Sequence, residues 1–167
     1  MHNILAVQVA DGTTTPAGTS EVVLGSRTFP IGALQAGKVI KFEALTRTTD
    51  SNSTDTLTVR VRLGPTTLTG TAILETAAVD QADNDVCRIE GTLVVRDVDG
   101  ASVIECFGTY NDPDAVGTAV KVWSSKITAL DLDPQVAVLL EITGQWSASH
   151  ADNDVAIVAL NVSESAV

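Results

Sequence analysis

The chain has 167 residues, of which 44% are hydrophobic and 19% are charged, and this balance excludes an intrinsically disordered protein. The length is that of one domain that can bury a core without disulfides or metals, so we expect a single domain over residues 1–167. The formal net charge of −11 would repel phosphate groups, which excludes nucleic acid as a partner.

Alternation of apolar and polar residues predicts about ten short strands and no helix. The clearest case is residues 55–63, where Leu57, Val59, Val61 and Leu63 alternate with Thr and Arg. Residues 1–20 are expected to form an N-terminal strand or arm followed by a loop. Strands are predicted over residues 4–9, 21–29, 38–47, 55–63, 66–74, 86–96, 101–110, 119–127, 135–146 and 154–162. The fold class is therefore all-β, an antiparallel sandwich or barrel.

Two pairs of these strands are predicted to form hairpins. Strands 38–47 and 55–63 are joined by a long polar loop, and strands 86–96 and 101–110 by a tight turn at Asp99-Gly100. In the second pair, Cys87 and Cys106 fall in register with the apolar residues, so we expect buried thiols. A disulfide would require the two cysteines to face each other in matching register.

Residues 135–142 and 154–162 are apolar on both faces of their predicted strands, which implies burial on both sides. Either a subunit interface or a loop of the same chain covers the additional face. For the first alternative, the interface candidates are Val136, Val138, Leu140, Val158, Leu160 and Val162.

The segment Ala-Asp-Asn-Asp-Val occurs twice, at residues 82–86 and 151–155, each time before a predicted strand. Its carboxylates Asp83, Asp85, Asp152 and Asp154 are oxygen donors of the kind that Ca²⁺ prefers. The spacing does not form a complete ligand set, and Asp and Asn are also standard turn residues. We therefore expect two strand-entry turns and no bound cofactor, with calcium as the alternative.

No arrangement of residues indicates catalysis. The two histidines, His2 and His150, lie outside any nucleophile–base pattern. Asp131 and Asp133 are the one carboxylate pair to consider for glycoside hydrolysis, but Pro134 favours a connection between strands there. We expect a protein that is not an enzyme.

The N-terminal residues show neither a basic leader nor a sustained apolar stretch, and no later apolar stretch approaches the length of a membrane span. The expectation is a soluble product made inside the cell, without a membrane partner.

Five segments, taken in order, resemble a family of virion proteins from tailed phages and marine viruses that form jelly-roll domains and assemble as trimers. They are SRTFPIGAL at 26–34, AGKVIKFEA at 36–44, TDTLTVRVRLG at 54–64, NDVCRIEGT at 84–92 and ADNDV at 151–155. The resemblance covers roughly residues 22–162, and the chain departs from the family pattern at Cys87, where an aromatic residue is usual.

The resemblance implies a jelly-roll-like sandwich and a trimeric capsid decoration, or cement, protein that binds the major capsid protein. Such a protein would be assembled in the host cytoplasm and would lie on the capsid surface of the virion. The alternative is a receptor- or glycan-binding domain of a phage tail or fibre, with Trp123 or Trp146 stacking on sugar beside loop carboxylates.

Overall fold

The structure, a computed structural model, describes residues 3–8, 18–50, 54–98, 102–111, 120–130, 132–133 and 135–166. Side chains are described within 18–49, 54–98, 103–111, 132–133 and 135–164. All regular secondary structure in these ranges is β-strand. The described residues contain no helix that could cross a membrane. The strands are β1 (Asn3–Gln8), β2 (Val22–Phe29), β3 (Lys38–Asp50), β4 (Thr56–Gly64), β5 (Thr71–Glu75), β6 (Val79–Asp80), β7 (Val86–Asp97), β8 (Ser102–Asn111), β9 (Val120–Leu130), β10 (Val138–Trp146) and β11 (Asp154–Ala166).

The strands form two antiparallel sheets that pack face to face. The six-stranded sheet has the order β1-β11-β3-β7-β8-β9, and the five-stranded sheet has the order β2-β10-β4-β5 with β6 paired to β4. Successive strands from β1 to β4 alternate between the sheets, β5 pairs with β4 in the same sheet, and β10 and β11 insert between earlier strands. This is the strand order of a jelly roll, with the β8–β9 hairpin extending one sheet. The prediction of an all-β, jelly-roll-like sandwich is confirmed.

Strict alternation along the strands builds the core between the sheets. In β4 the residues Leu57, Val59, Val61 and Leu63 are buried, as predicted, while the intervening Thr and Arg side chains lie on the outer face. Strands β7 and β8 behave in the same way, and their inward faces bury Cys87, Ile89, Leu93, Val95, Ile104, Cys106 and Tyr110. Burial of apolar side chains in this core is the main stabilising contribution, at about 25 cal/mol per Å² of apolar surface.

The first predicted hairpin is wrong. Strand β3 pairs with β11 and β7, whereas β4 lies in the other sheet between β10 and β5. The chain therefore changes from one sheet to the other between β3 and β4, as it does in a jelly roll. The second hairpin is confirmed, because β7 and β8 pair antiparallel from Arg88 opposite Asn111 to Asp97 opposite Val103. The turn residues Asp99 and Gly100 lie outside the described residues.

Two strands begin several residues later than predicted, and one further strand was not predicted. Strand β5 begins only at Thr71, because residues 65–70 form turns, and β10 begins at Val138 after a turn over residues 135–136. The two-residue strand β6 was not predicted, since it is too short to show an alternating pattern.

The strand connections gather at the two ends of the sandwich. At the upper end lie the β6–β7 and β10–β11 turns and the residues just before β4. At the lower end lie the β2–β3, β4–β5 and β9–β10 connections.

Candidate functional site

Most of the predicted interface residues lie in the core of the single chain. Val138, Leu140, Leu160 and Val162 point between the sheets and are almost fully buried. Val158 is half-buried, and only Val136 is exposed, at 41%. The first four are therefore unavailable to an interface, and that part of the prediction is wrong.

A β-bulge explains why β11 looks apolar on both faces. Val155 and Ile157 are buried, the register shifts between Ile157 and Ala159, and Leu160 and Val162 are buried beyond the shift. A bulge places two residues opposite one and reverses which alternate residues face inward. The strand thus has one apolar face whose phase changes halfway along.

For β10, segments of the same chain cover the outer face. The Leu68 amide donates to Glu141 Oε2 at 2.9 Å, and Gln145 Nε2 donates to the Thr19 carbonyl at 2.9 Å. Glu141 is only 2% exposed and Thr143 is fully buried, although both lie on the outer face. Of the two covers left open by the sequence, the structure shows the loop of the same chain.

The cover is fixed by a group of polar side chains that we call the outer ion network: Glu21, Arg60, Arg62, Glu75 and Thr143. Arg62 donates from Nε and Nη2 to the two carboxylate oxygens of Glu21, each at 2.7 Å. Arg60 lies between Glu21 and Glu75 and forms ion pairs with both. The network ties the start of β2 to β4, β5 and β10.

The two central groups of the network keep their charges. Burial raises the pKa of Glu21, but hydrogen bonds from Arg62 and Thr143 and the charges of Arg62 and Arg60 together lower this pKa below its ordinary value. The hydrogen bond with Glu21 raises the pKa of Arg62 against the opposing effect of burial. The arrangement is an internal brace, because the partners of each charge belong to the chain itself.

Both Ala-Asp-Asn-Asp-Val segments form turns before strands, β7 and β11, which flank β3 on either side. In the first, Asp85 accepts from the Ala82 amide at 2.8 Å and Asn84 has a positive φ of 65°. In the second, the Asn153 amide donates to the His150 carbonyl, and Asn153 Nδ2 donates to buried Asp55 at 2.9 Å. The two turns are therefore offset by one residue.

The candidate calcium ligands are not grouped. Asp83 and Asp152 are exposed, Asp85 is buried and caps its own turn, and Asp154 lies at the start of β11. Across the described side chains, no cluster of three or more His, Cys, Asp or Glu is placed to hold a metal ion. The turn interpretation accounts for these residues.

The remaining residues considered for chemistry are dispersed. His150 lies at the upper end in contact with Asp152, 3.3 Å from its carboxylate. Asp133 lies at the lower end, where its carboxylate accepts from the Gln135 amide in a turn. His2 and Asp131 fall outside the described residues.

The two tryptophans differ in what the structure tells about them. Trp146 is 1% exposed in the core, so it is not a sugar-stacking surface. Trp123 lies in β9 opposite Gly108, and its side chain is outside the described part of the chain.

A groove of about 370 Å³ crosses the outer face of the six-stranded sheet over β11, β3, β7 and β8. We call it the outer groove. Its polar lining comes from Lys41, Glu43, Glu90, Thr92, Thr109, Asn161 and Ser163, and its aromatic lining includes Phe107. Phe107 is 55% exposed, the most exposed aromatic among the described side chains. Sequence reasoning missed this groove, although an aromatic residue on the polar face of a strand was its visible signal.

Two glycines form part of the floor of the outer groove. Gly91 and Gly108 lie opposite each other in β7 and β8. A Cβ on Gly91 would lie 2.4 Å from the Phe42 ring, and one on Gly108 would lie 2.6 Å from Leu74. The glycines thus let core side chains pack directly under the backbone of the groove.

Two like charges face each other in the groove. Glu43 and Glu90 are cross-strand partners in β3 and β7, a destabilising placement by itself. Arg88 offsets it, donating from Nε to Glu43 at 2.7 Å and pairing through Nη2 with Glu90 at 2.8 Å. Thr109 donates to the other oxygen of Glu90 at 3.2 Å. The carboxylates are therefore held in fixed positions.

At the lower end, apolar residues are exposed where the β2–β3 and β9–β10 connections meet. Ile31 is 67% exposed, and Val136 belongs to the other connection. Residues that flank Ile31 line a small crevice together with Val136. We call Ile31 and Val136 the lower-end patch.

Comparison with known protein families found no family model that matches the chain, and comparison with curated proteins found no similar sequence.

Proposed function

We propose that the protein is a virion structural protein, a trimeric capsid decoration protein that stabilises a phage head by burying surface against the major capsid protein. The observation that carries the proposal is the jelly-roll strand order, since double-sheet jelly rolls build many viral capsid domains. It is the fold that the five family-like segments imply, and three of those segments contain the start of β3, the whole of β4 and the start of β7.

The lower-end patch is the surface that we assign to assembly. Exposed aliphatic side chains on two neighbouring connections suit burial against a partner, whereas the charged groups of the outer ion network already have partners within the chain. Of the predicted interface residues, Val136 is the one that this assignment retains.

Light scattering on the purified protein tests the trimer. We expect three times the chain mass of 17.4 kDa. The double variant Ile31→Asp/Val136→Asp should shift the mass to that of a monomer, because paired carboxylates would be buried at the contact. Val86→Asp is the matched control, since Val86 is 44% exposed but lies at the upper end.

Labelling intact virions tests the location. We expect antibody against the protein to decorate the head surface. A wild-type protein that is a monomer at all concentrations, together with unlabelled heads, would overturn the proposal.

The second candidate, a receptor- or glycan-binding domain of a tail or fibre, is favoured by one observation, the exposed Phe107 in the outer groove. Antibody labelling of the tail instead of the head would select it.

A further inference from the structure

We propose that the outer groove is a binding site for a neutral oligosaccharide, with Phe107 as its stacking platform. This inference goes beyond head decoration, because the groove lies on a sheet face and the lower-end patch lies at one end of the sandwich. The proposal of sugar binding and the proposal of head decoration can therefore fail independently.

The size of the groove fits a small ligand. Its volume of about 370 Å³ lies within the range of roughly 300–1,000 Å³ that small-molecule sites occupy. Its walls stand on four adjacent strands, so the backbone that carries them is fixed by sheet hydrogen bonds.

Phe107 supplies an exposed, flat apolar surface beside the polar side chains of the groove. The C–H groups on one face of a sugar ring are apolar and pack on an aromatic face, while the ring's hydroxyls need hydrogen bonds. A single exposed aromatic is common on protein surfaces, so the placement of Phe107 beside the polar lining, more than its exposure, supports the assignment.

The polar lining forms two rows across the strands, which follow from the register. One row contains Ser163, Lys41, Thr92 and Phe107, and the other contains Asn161, Glu43, Glu90 and Thr109. The groove therefore presents donors and acceptors on both sides of its floor. Hydroxyl groups both donate and accept, so a sugar uses both kinds of partner.

Several of these groups have hydrogen-bonding capacity left. Within the described side chains, Asn161, Ser163 and Lys41 form no hydrogen bond or ion pair with the rest of the chain. Arg88 binds only one oxygen of Glu43 and leaves the second as an open acceptor.

Charge balance selects the ligand class. The lining carries Lys41, Glu43 and Glu90, and Arg88 holds both carboxylates, so the four formal charges cancel. In a chain of net charge −11, this local neutrality gives neither an anion nor a cation a strong attraction. A neutral, hydroxyl-rich ligand matches the groove better than a charged one.

Calorimetric titration and saturation-transfer NMR with a panel of neutral tetrasaccharides, built from glucose, mannose, galactose or N-acetylglucosamine, test the proposal. A sulfated tetrasaccharide serves as the charged comparison. We expect at least one neutral sugar to bind, with little effect of added salt. Phe107→Ala should weaken binding by at least about tenfold without lowering the melting temperature, and Asn161→Ala should weaken it less.

Val86→Ala is the matched control, because Val86 is an exposed apolar side chain outside both the groove and the lower-end patch, and this variant should bind sugar like the wild type. The proposal is overturned if no neutral tetrasaccharide binds, if Phe107→Ala binds as tightly as the wild type, or if only the sulfated sugar binds. A lower assembly mass for Phe107→Ala would instead assign the groove to contact between copies, which also overturns it.

Discussion

Arg62 and Glu21 are joined by two parallel hydrogen bonds of 2.7 Å across 41 positions of sequence. Such a bidentate pair fixes geometry as well as charge. It fastens the residue that precedes β2 to the second half of β4, over the outer face of β10.

Glu21→Gln should destabilise the protein by about 2 kcal/mol, because it leaves a largely buried guanidinium without its charged partner. Both side chains are less than one-fifth exposed, at 17% and 18%. The matched control is Glu75→Gln at the edge of the same network, where the side chain is 53% exposed and the expected cost is below about 1 kcal/mol. Urea unfolding measures the loss of unfolding free energy in each variant. Equal losses would contradict the role of the Glu21–Arg62 pair as an internal brace.

The same ion pair makes stability depend on pH in a defined direction. Because the pKa of Glu21 is lower in the folded chain than in the unfolded chain, its contribution is complete above the ordinary value of 4.5 and is lost as pH falls through the lower folded value. The stability difference between wild type and Glu21→Gln should thus be constant near neutrality and shrink in acid. Unfolding free energies of both proteins between pH 7 and pH 3 test this, and a difference that grows in acid would contradict it.

Trp146→Ala should cost about 3–5 kcal/mol, the usual penalty for removing a fully buried large aromatic side chain. Trp146→Phe should cost less, since it retains most of the packing. Chemical denaturation measures the loss, and sugar titration of Trp146→Phe should match the wild type. If Trp146→Phe keeps its fold but no longer binds sugar, the stacking residue is Trp146 and not Phe107.

The sequence predicted the strands well because each inward face carries its own signal. In β4 and β7, non-polar residues at every second position opposite polar or charged neighbours make the core face unambiguous. Strand pairing was harder to predict, since nothing in β3 or β4 specifies a neighbour. The polar segment between them suits a hairpin loop as well as a crossing between sheets.

The candidate surfaces could be predicted only in part. Because of its bulge, β11 has the sequence pattern of a strand with two apolar faces. Leu160 and Val162 were therefore wrongly predicted to lie at an interface. The outer groove depends on the register of four strands, and Phe107 becomes its platform only when β8 is placed beside β7. Such cross-strand neighbours are set by tertiary packing.

Cys87 and Cys106 should remain thiols under oxidising conditions. In the β7–β8 ladder Cys106 lies opposite Leu93, so Cys87 is displaced by about 20 Å along the strand, whereas a disulfide requires Cα atoms within about 7 Å. Both side chains are buried. A thiol-reactive dye should therefore label neither cysteine in native protein and both in urea, with or without prior reductant. A reductant-dependent increase in labelling would contradict the register.

Gly64→Ala should be the most disruptive small substitution at the lower end. A Cβ on Gly64 would lie 2.5 Å from the Gly70 Cα, where β4 and β5 approach each other, so the backbone itself would have to move. We expect a loss of about 1–3 kcal/mol. Gly144→Ala is the matched control, because its nearest neighbour is a flexible Leu24 methyl at 3.2 Å and alanine favours the strand, which keeps the net change within about 1 kcal/mol. Thermal and urea unfolding of the two variants give the comparison. If the two variants are equally stable, the backbones of β4 and β5 can move apart at Gly64 at little cost in unfolding free energy.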